Sequence, residues 1–408
     1  MESKIKVILN EENKKMIVAN INNGMSVRLP LELHDLVMDI LENKINDDNI
    51  ELFLKDFDSN DTEYLMRIYT VFQENEFTKT SVEKTRTVSL QITNKCNLRC
   101  QHCCVSSGVE LKNELKLNEL KETIDKIIEF NPKSINISGG EPLIHKYFND
   151  ISEYLFNNYH GRKILSTNGT LISDSNVGCI TKYYDQVDIS LDGVDEKTTS
   201  LIRGPGVFNK VIDTVKLLQS KNFFDVNLSM VLTEHNEKYS DDFIMLNKNL
   251  NTNYITRLFS PVGRGKENID LFVSDNENMT FIPKDFQTDN YKECGVSSCS
   301  AGENEIFISA NGDIYPCPSF YYEKYKIGNI KNIDNIKNNI DFKLSKESTL
   351  STIRDIDNNQ YFKCNSCNVY YFCWTCPGHI NEFIGRKNAL NYRCEIMKKV
   401  LERGVWIE

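Results

Sequence analysis

The chain has 408 residues, 26% of them charged and 40% hydrophobic, which suits two or three domains with buried cores and excludes a collagen, a coiled coil or a disordered tail. Its net charge of −10 argues against general binding to nucleic-acid phosphates; the acidity is uneven, since residues 1–85 hold 10 Lys/Arg against 17 Asp/Glu. The start of the chain shows no signal-peptide pattern and no stretch is apolar enough to span a bilayer, so the expectation is a cytoplasmic protein with no membrane partner. In that reducing setting, 13 cysteines point to metal ligation and not to disulfides.

Residues 1–85 contain no cysteine. Ile5–Leu9, Lys15–Ile21 and Met25–Leu29 read as short strands, with a turn at Asn22-Asn23-Gly24. A helical pattern then starts at Pro30 (Leu33, Leu36, Val37, Ile40, Leu41). Two more follow, over Ile50–Phe57 and from an N-cap at Asp61 to Phe72. The first zone is therefore a small α+β module.

Residues 86–262 alternate strand and helix. Strands are predicted at Thr87–Thr93, Ser134–Ile137, Lys163–Ser166, Gln186–Ser190, Asp225–Leu232 and Tyr254–Phe259. Amphipathic stretches at 114–130, 148–157, 174–184, 208–222 and 240–250 separate them. This alternation predicts a parallel sheet of six βα units, a partial (β/α)6 barrel with its ligands at the C-terminal strand ends. Residues 263–408 hold eight cysteines and little periodicity before a last helix, which predicts a segment folded around metal.

The first barrel strand runs into Cys96-x3-Cys100-x2-Cys103. Three thiolates on one short loop can hold three corners of a cubane and leave the fourth iron open. From this triplet alone, zinc with His102 or Cys104 as a fourth ligand stays open. The next strand ends in Ser138-Gly139-Gly140-Glu141-Pro142, where paired glycines let the backbone approach a ligand. Its carbonyls and the Glu141 carboxylate can receive an ammonium group, and Pro142 stiffens the exit.

The pairing of Cys-x3-Cys-x2-Cys with Gly-Gly-Glu-Pro one βα unit later resembles the radical S-adenosylmethionine (SAM) enzymes. The resemblance implies that Cys96, Cys100 and Cys103 hold a [4Fe–4S] cluster whose open iron chelates SAM, with Gly139, Gly140, Glu141 and Pro142 on the methionine ammonium. It further implies that Ser166 and Asn168 after the third strand, and Ser190 and Asp192 after the fourth, line the SAM site. Arg203, in Arg-Gly-Pro-Gly, would pair with the SAM carboxylate; its alternative is a surface turn.

The C-terminal cysteines resemble the SPASM extension of radical SAM enzymes that act on peptides and proteins. Cys299-x12-Gly312-x4-Cys317 is followed by Cys364-x2-Cys367-x5-Cys373-x2-Cys376 and Cys394. Ile306–Ile314 reads as a hairpin turning at Asn311-Gly312, which would bring Cys299 and Cys317 together. With Cys294, eight thiolates suffice for two fully ligated clusters. By resemblance, one takes Cys294, Cys299, Cys317 and Cys376, and the other Cys364, Cys367, Cys373 and Cys394. The chain departs from the family in having two residues, Trp374 and Thr375, where three usually separate the last two clustered cysteines. The alternative to these clusters is a zinc ribbon.

Residues 1–85 more loosely resemble the PqqD-like, winged-helix-like element with which maturases of ribosomal peptides capture a leader as an added strand. Together the resemblances imply SAM and three [4Fe–4S] clusters as cofactors, and a precursor peptide and a flavodoxin- or ferredoxin-type electron donor as partners. The implied reaction abstracts a hydrogen from the peptide with a 5′-deoxyadenosyl radical and forms a cross-link. A Cys thioether, of the sactipeptide or ranthipeptide type, is the leading product. Carbon–carbon cross-linking, formylglycine formation in sulfatases and a non-catalytic zinc-rich interaction protein are the alternatives. No general base stands out, and Cys104 and Cys179 have no assigned role.

Overall fold

The computed structural model describes residues 5–21, 23–78, 86–273, 282, 295–296, 301–302, 305–343, 364, 366–373 and 387–407. Three strands, β1 (Ile5–Asn10), β2 (Lys15–Asn20) and β3 (Ser26–Pro30), form an antiparallel sheet in that order. The helices His34–Leu41 and Ser59–Glu74 follow, with a short turn Ile50–Phe53 between them. One correction concerns the cap of the last helix. Asp58, and not Asp61, starts it, accepting hydrogen bonds from the amides of Asn60 and Asp61. Three acids compete within this stretch, and the one in extended geometry wins.

Six parallel strands then run in sequence order: β4 (Thr87–Gln91), β5 (Ser134–Ser138), β6 (Arg162–Thr167), β7 (Gln186–Ser190), β8 (Val226–Leu232) and β9 (Asn253–Leu258). Their alternation explains the layering. Val88, Leu90, Ile135, Ile137, Leu165, Val187 and Ile189 point outward and are fully buried in the core that the helices cover. Ser89, Asn136, Ser166 and Asp188 alternate with them and face the lumen, joined by Asn136–Ser89 and Ser166–Asn136 hydrogen bonds. One helix, Glu196–Arg203, lies outside the expected set.

The expected hairpin forms from β10 (Glu305–Ile308) and β11 (Asp313–Tyr315), followed by β12 (Gly328–Asn329). Its β10 pairs in parallel with β4, which extends the barrel sheet to nine strands in the order β12-β11-β10-β4-β5-β6-β7-β8-β9. Ile306, Ile308 and Ile314 join the same core as the barrel. Among the described residues, no helix is long and apolar enough to cross a membrane.

Strand β2 is buried on both faces. Met16 and Val18 pack on the helices of the first module, while Ile17 and Ala19 pack with Val369, Phe372, Leu401 and Trp406. Trp406 is 1% exposed, and its backbone carbonyl accepts a hydrogen bond from Lys15 Nζ. Trp406→Ala is expected to cost about 3–5 kcal/mol. Thermal melting of the anaerobic holoprotein checks this, and a curve that overlays the wild type would contradict the packing account.

Candidate active site

Beyond β4 the chain carries its three thiols on a loop with no helix or strand of its own, so its backbone groups need partners from elsewhere. Lys95 bridges to Gly108, with Gly108 N–H donating to Asn94 O at 2.9 Å and Cys96 N–H donating to Gly108 O at 3.1 Å. Glu114 Oε1 accepts from the Asn94 and Leu111 amides, both at 2.8 Å. Gln101 N–H donates to Ile202 O at 3.0 Å, which ties the loop to the helix Glu196–Arg203.

Each sulfur has a nitrogen beside it. Leu98 N–H donates to Cys96 Sγ at 3.4 Å and Ser107 N–H to Cys103 Sγ at 3.3 Å. Asn168 Nδ2 lies 3.9 Å from Cys96 Sγ, and Arg203 Nη1 lies 3.7 Å from Cys100 Sγ. Burial pushes the Cys96 thiol up to about 11, with Glu141 and the charges of Cys100 and Cys103 adding to the effect. Burial raises Cys100 too, against the pull of Arg203.

Gly139 and Gly140 press directly on the backbone that enters this loop. Gly140 N–H donates to Thr93 O at 2.7 Å and Glu141 N–H to Lys95 O at 2.8 Å. A Cβ on Gly140 would collide with the carbonyl oxygens of Lys95 and Asn94, standing 2.6 Å from the latter, so only glycine fits. Glu141 is fully buried, and its carboxylate is occupied by the protein itself. It accepts from Leu143 N–H (3.2 Å), Thr167 Oγ1–H (2.8 Å) and Asn168 N–H (2.8 Å). Glu141 thus binds the end of β6 to the glycine turn. Burial pushes its carboxyl up to about 7 despite those three donors.

Asp192 and Arg203 come together. Asp192 is 1% exposed, with φ +62. One of its oxygens, Oδ2, accepts from Arg203 Nε and Nη2 at 2.6 Å and lies 2.8 Å from His102 Nε2, while Oδ1 accepts from Val231 N–H at 2.7 Å. Burial opposes ionisation, yet Arg203 and His102 hold this carboxyl well below the usual range. Arg203 is therefore no surface turn. Asn168 is likewise drawn in, donating to Asn97 Oδ1 at 2.9 Å, and Ser166 and Ser190 end their strands half-buried on the lumen side.

Sequence reasoning missed the pairing of His102 with Asp192. It also missed the helix that delivers Arg203, whose signal was the Asp195–Thr198 capping box. Cys104 and Cys179 are half-buried. Burial and Cys103 push Cys104 up to about 12, and Cys179 packs against the barrel core.

A second set of thiols converges near the first module. Burial pushes Cys364 up to about 11, with Cys373, Cys367 and Cys394 each adding to it. Cys317 is buried after β11. Cys294, Cys299 and Cys376 lie outside the described residues. Among the described residues, no three His, Cys, Asp or Glu side chains gather tightly enough to hold one metal ion.

Two substitutions test this architecture. Gly140→Ala is expected to displace the Thr93–Lys95 backbone and to lower the iron bound per chain after anaerobic reconstitution. Retention of wild-type iron would contradict the close fit. For Glu141, a folded-state value of about 7 lies above its ordinary 4.5, so its contribution to stability is full below that ordinary value and is lost as pH rises through 7. Glu141→Gln is expected to flatten this fall between about pH 4.5 and 7. It should also cost about 1–3 kcal/mol, because one carboxylate acceptor becomes an NH2 group facing donors. Melting temperatures of both proteins across that range are the measurement.

A profile of the radical SAM superfamily matches residues 90–246, and a profile described as an iron-sulfur cluster-binding domain, SPASM, matches residues 299–368. The mycofactocin maturase MftC of Mycobacterium tuberculosis is 30% identical over 305 residues, 69% of this chain and 75% of that protein. A cysteine-type anaerobic sulfatase-maturating enzyme of Clostridium novyi is 24% identical over 359 residues, 76% of this chain and 92% of that one. Among solved structures, Streptococcus suis SuiB bound to precursor peptide SuiA superposes with a TM-score of 0.54 at 16% identity, over 95% of this chain and 97% of that one.

Proposed function

Because the chain belongs to the radical SAM superfamily and carries an iron–sulfur cluster-binding domain, we propose that it is a maturase of a ribosomally made precursor peptide. It is an enzyme whose cofactors are SAM and [4Fe–4S] clusters. The observation that carries the reading is that the loop bearing Cys96, Cys100 and Cys103 leaves the C-terminal end of β4 with its entry, Thr93–Lys95, against the backbone of Gly139–Glu141. The relative named as a mycofactocin maturase supports a peptide substrate, as does the precursor peptide bound to the fold neighbour SuiB. The three-stranded module at residues 5–78 supports the capture of a leader peptide as an added strand.

In this reading Cys96, Cys100 and Cys103 ligate the cluster that binds SAM, and the carbonyls of Gly139 and Gly140 receive the methionine ammonium. Glu141 acts by holding those carbonyls in place. The Asp192–Arg203 pair sets a guanidinium beside Cys100, where it can also meet the SAM carboxylate, and Ser166, Asn168 and Ser190 line the remaining face. Cys364, Cys367, Cys373 and Cys394 hold one auxiliary cluster, and Cys294, Cys299, Cys317 and Cys376 the other. When bound, these cofactors would supply a 5′-deoxyadenosyl radical able to take one hydrogen atom from the peptide, and auxiliary clusters on those eight cysteines would offer an acceptor for the second electron, the accompanying proton leaving to solvent. The thioether is the product we expect, a carbon–carbon bond the second. A flavodoxin or ferredoxin serves as electron donor.

Co-expression with a candidate precursor peptide, sought among small open reading frames near the gene, tests this. The peptide is expected to lose two hydrogens per cross-link, and a thioether also removes one alkylatable thiol, whereas a carbon–carbon bond leaves the thiols unchanged. An unmodified peptide in the presence of SAM, reductant and intact clusters would sink the peptide reading. Replacing Cys96, Cys100 and Cys103 with Ala is expected to lower iron by about four per chain and abolish 5′-deoxyadenosine formation. The sulfatase-maturating relative favours a second reading, formylglycine formation, which co-expression with a sulfatase and an activity assay would reveal.

A further inference from the structure

The stretch that leaves β9 for the C-terminal region folds back across the thiol loop. At Gly263 φ is +57, and a Cβ there would collide with Cys104 O and stand 2.7 Å from Cys103 O. Arg264 N–H donates to Cys103 O at 3.0 Å. The Arg264 guanidinium donates through Nη2 to Ser107 O. Gly265 lies against the His102 carbonyl, where a Cβ would be 3.3 Å away. Asn268 Nδ2 donates to Gln101 O at 3.1 Å and to Gln101 Oε1 at 3.0 Å. Residues 263–268 therefore reach from Gln101 to Ser107, along the side of the loop that carries Cys103.

Arg264 has a particular place in this strap. It holds Ser107 by its carbonyl, and the N–H of Ser107 is the donor to Cys103 Sγ. Arg264 Nη1 is buried without a partner among the described residues, so water does little to screen the charge there. Arg203 Nη1 stands 3.7 Å from Cys100 Sγ. Two guanidiniums thus hold to the thiol loop, one at Cys100 and one at Ser107. A nearby cation, and an N–H held on a ligating sulfur, both favour the more negative, reduced state of an iron–sulfur cluster.

We propose that Gly263–Asn268 is a strap that positions the SAM-binding cluster, and that Arg264 is a positioning residue that raises the reduction potential of this cluster. The proposal rests on the assignment of Cys96, Cys100 and Cys103 as its ligands. Electrons from the donor would enter more readily with Arg264 present.

The test is EPR-monitored redox titration of the reconstituted holoprotein with and without SAM, since the signal that changes on SAM addition belongs to this cluster. Arg264→Met is expected to keep wild-type iron and sulfide while the SAM-responsive signal titrates at a lower potential with altered g-values. Arg264→Lys, which keeps the charge and loses the fork, is expected to recover part of the shift. If Arg264→Met fails to hold this cluster, Asn268→Ala serves instead. It releases Gln101 without removing the charge, and an altered SAM-responsive spectrum supports the strap. Variant spectra and potentials that overlay the wild type overturn the proposal while leaving the ligand assignment standing. A wild type with no SAM-responsive signal overturns both.

Discussion

Between Thr93 and Gly108 the chain leaves the sheet without entering a helix, so each of its buried N–H and C=O groups must be satisfied by a neighbour. Most of the site follows from that requirement. Gly140 has to be glycine because it lies on the carbonyls of Asn94 and Lys95. Glu141 then ties the same turn to Thr167 and Asn168 at the next strand end. The hairpin joins from the far side, with Gln91 Oε1 accepting from the Ala310 amide at 3.2 Å. This loop has no helix or strand of its own for support. The surrounding strand ends supply it instead.

The electrostatics are arranged around the same loop. In the protein alone the Cys96 and Cys100 thiols are pushed up by burial, so ligation of a metal by these thiols, as proposed, would release their protons. Arg203 works in the opposite direction at Cys100 and is itself held by the buried Asp192. A pair of this kind gives little net stability, but losing one partner leaves the other buried and uncompensated, at a cost of about 3–5 kcal/mol. The arrangement is better understood as fixing a guanidinium at a sulfur than as a contribution to folding.

What could be read in advance follows the range of the signals. Period-2 alternation marked β4 through Val88 and Leu90, and Asn311-Gly312 marked the hairpin, because both patterns are local. The thiol spacing and the Gly-Gly-Glu-Pro turn were legible for the same reason. The role of Glu141 was not, because nothing in the local sequence says that its carboxylate turns inward to Thr167 and Asn168. His102 and Asp192 are far apart in sequence and meet only once β7 and the loop are assembled. Gly263 illustrates the limit best. A glycine in a Gly-Arg-Gly run reads as an ordinary turn, and only the close approach of Cys103 and Cys104 shows why a side chain cannot stand there.

The first module has the same dependence on long-range contact. Strands followed by helices were apparent from its pattern, and a one-sided sheet would have sufficed to make such a module. In β2, however, Ile17 and Ala19 alternate with Met16 and Val18, and both pairs are buried. Ile17 and Ala19 share a core with Val369, Phe372 and Leu401, against which Cys367 and Cys373 are partly buried. Interiors of this density tolerate little sliding. The sheet proposed to take up a leader therefore cannot move without disturbing the packing around Cys367 and Cys373, two of the thiols proposed to hold an auxiliary cluster.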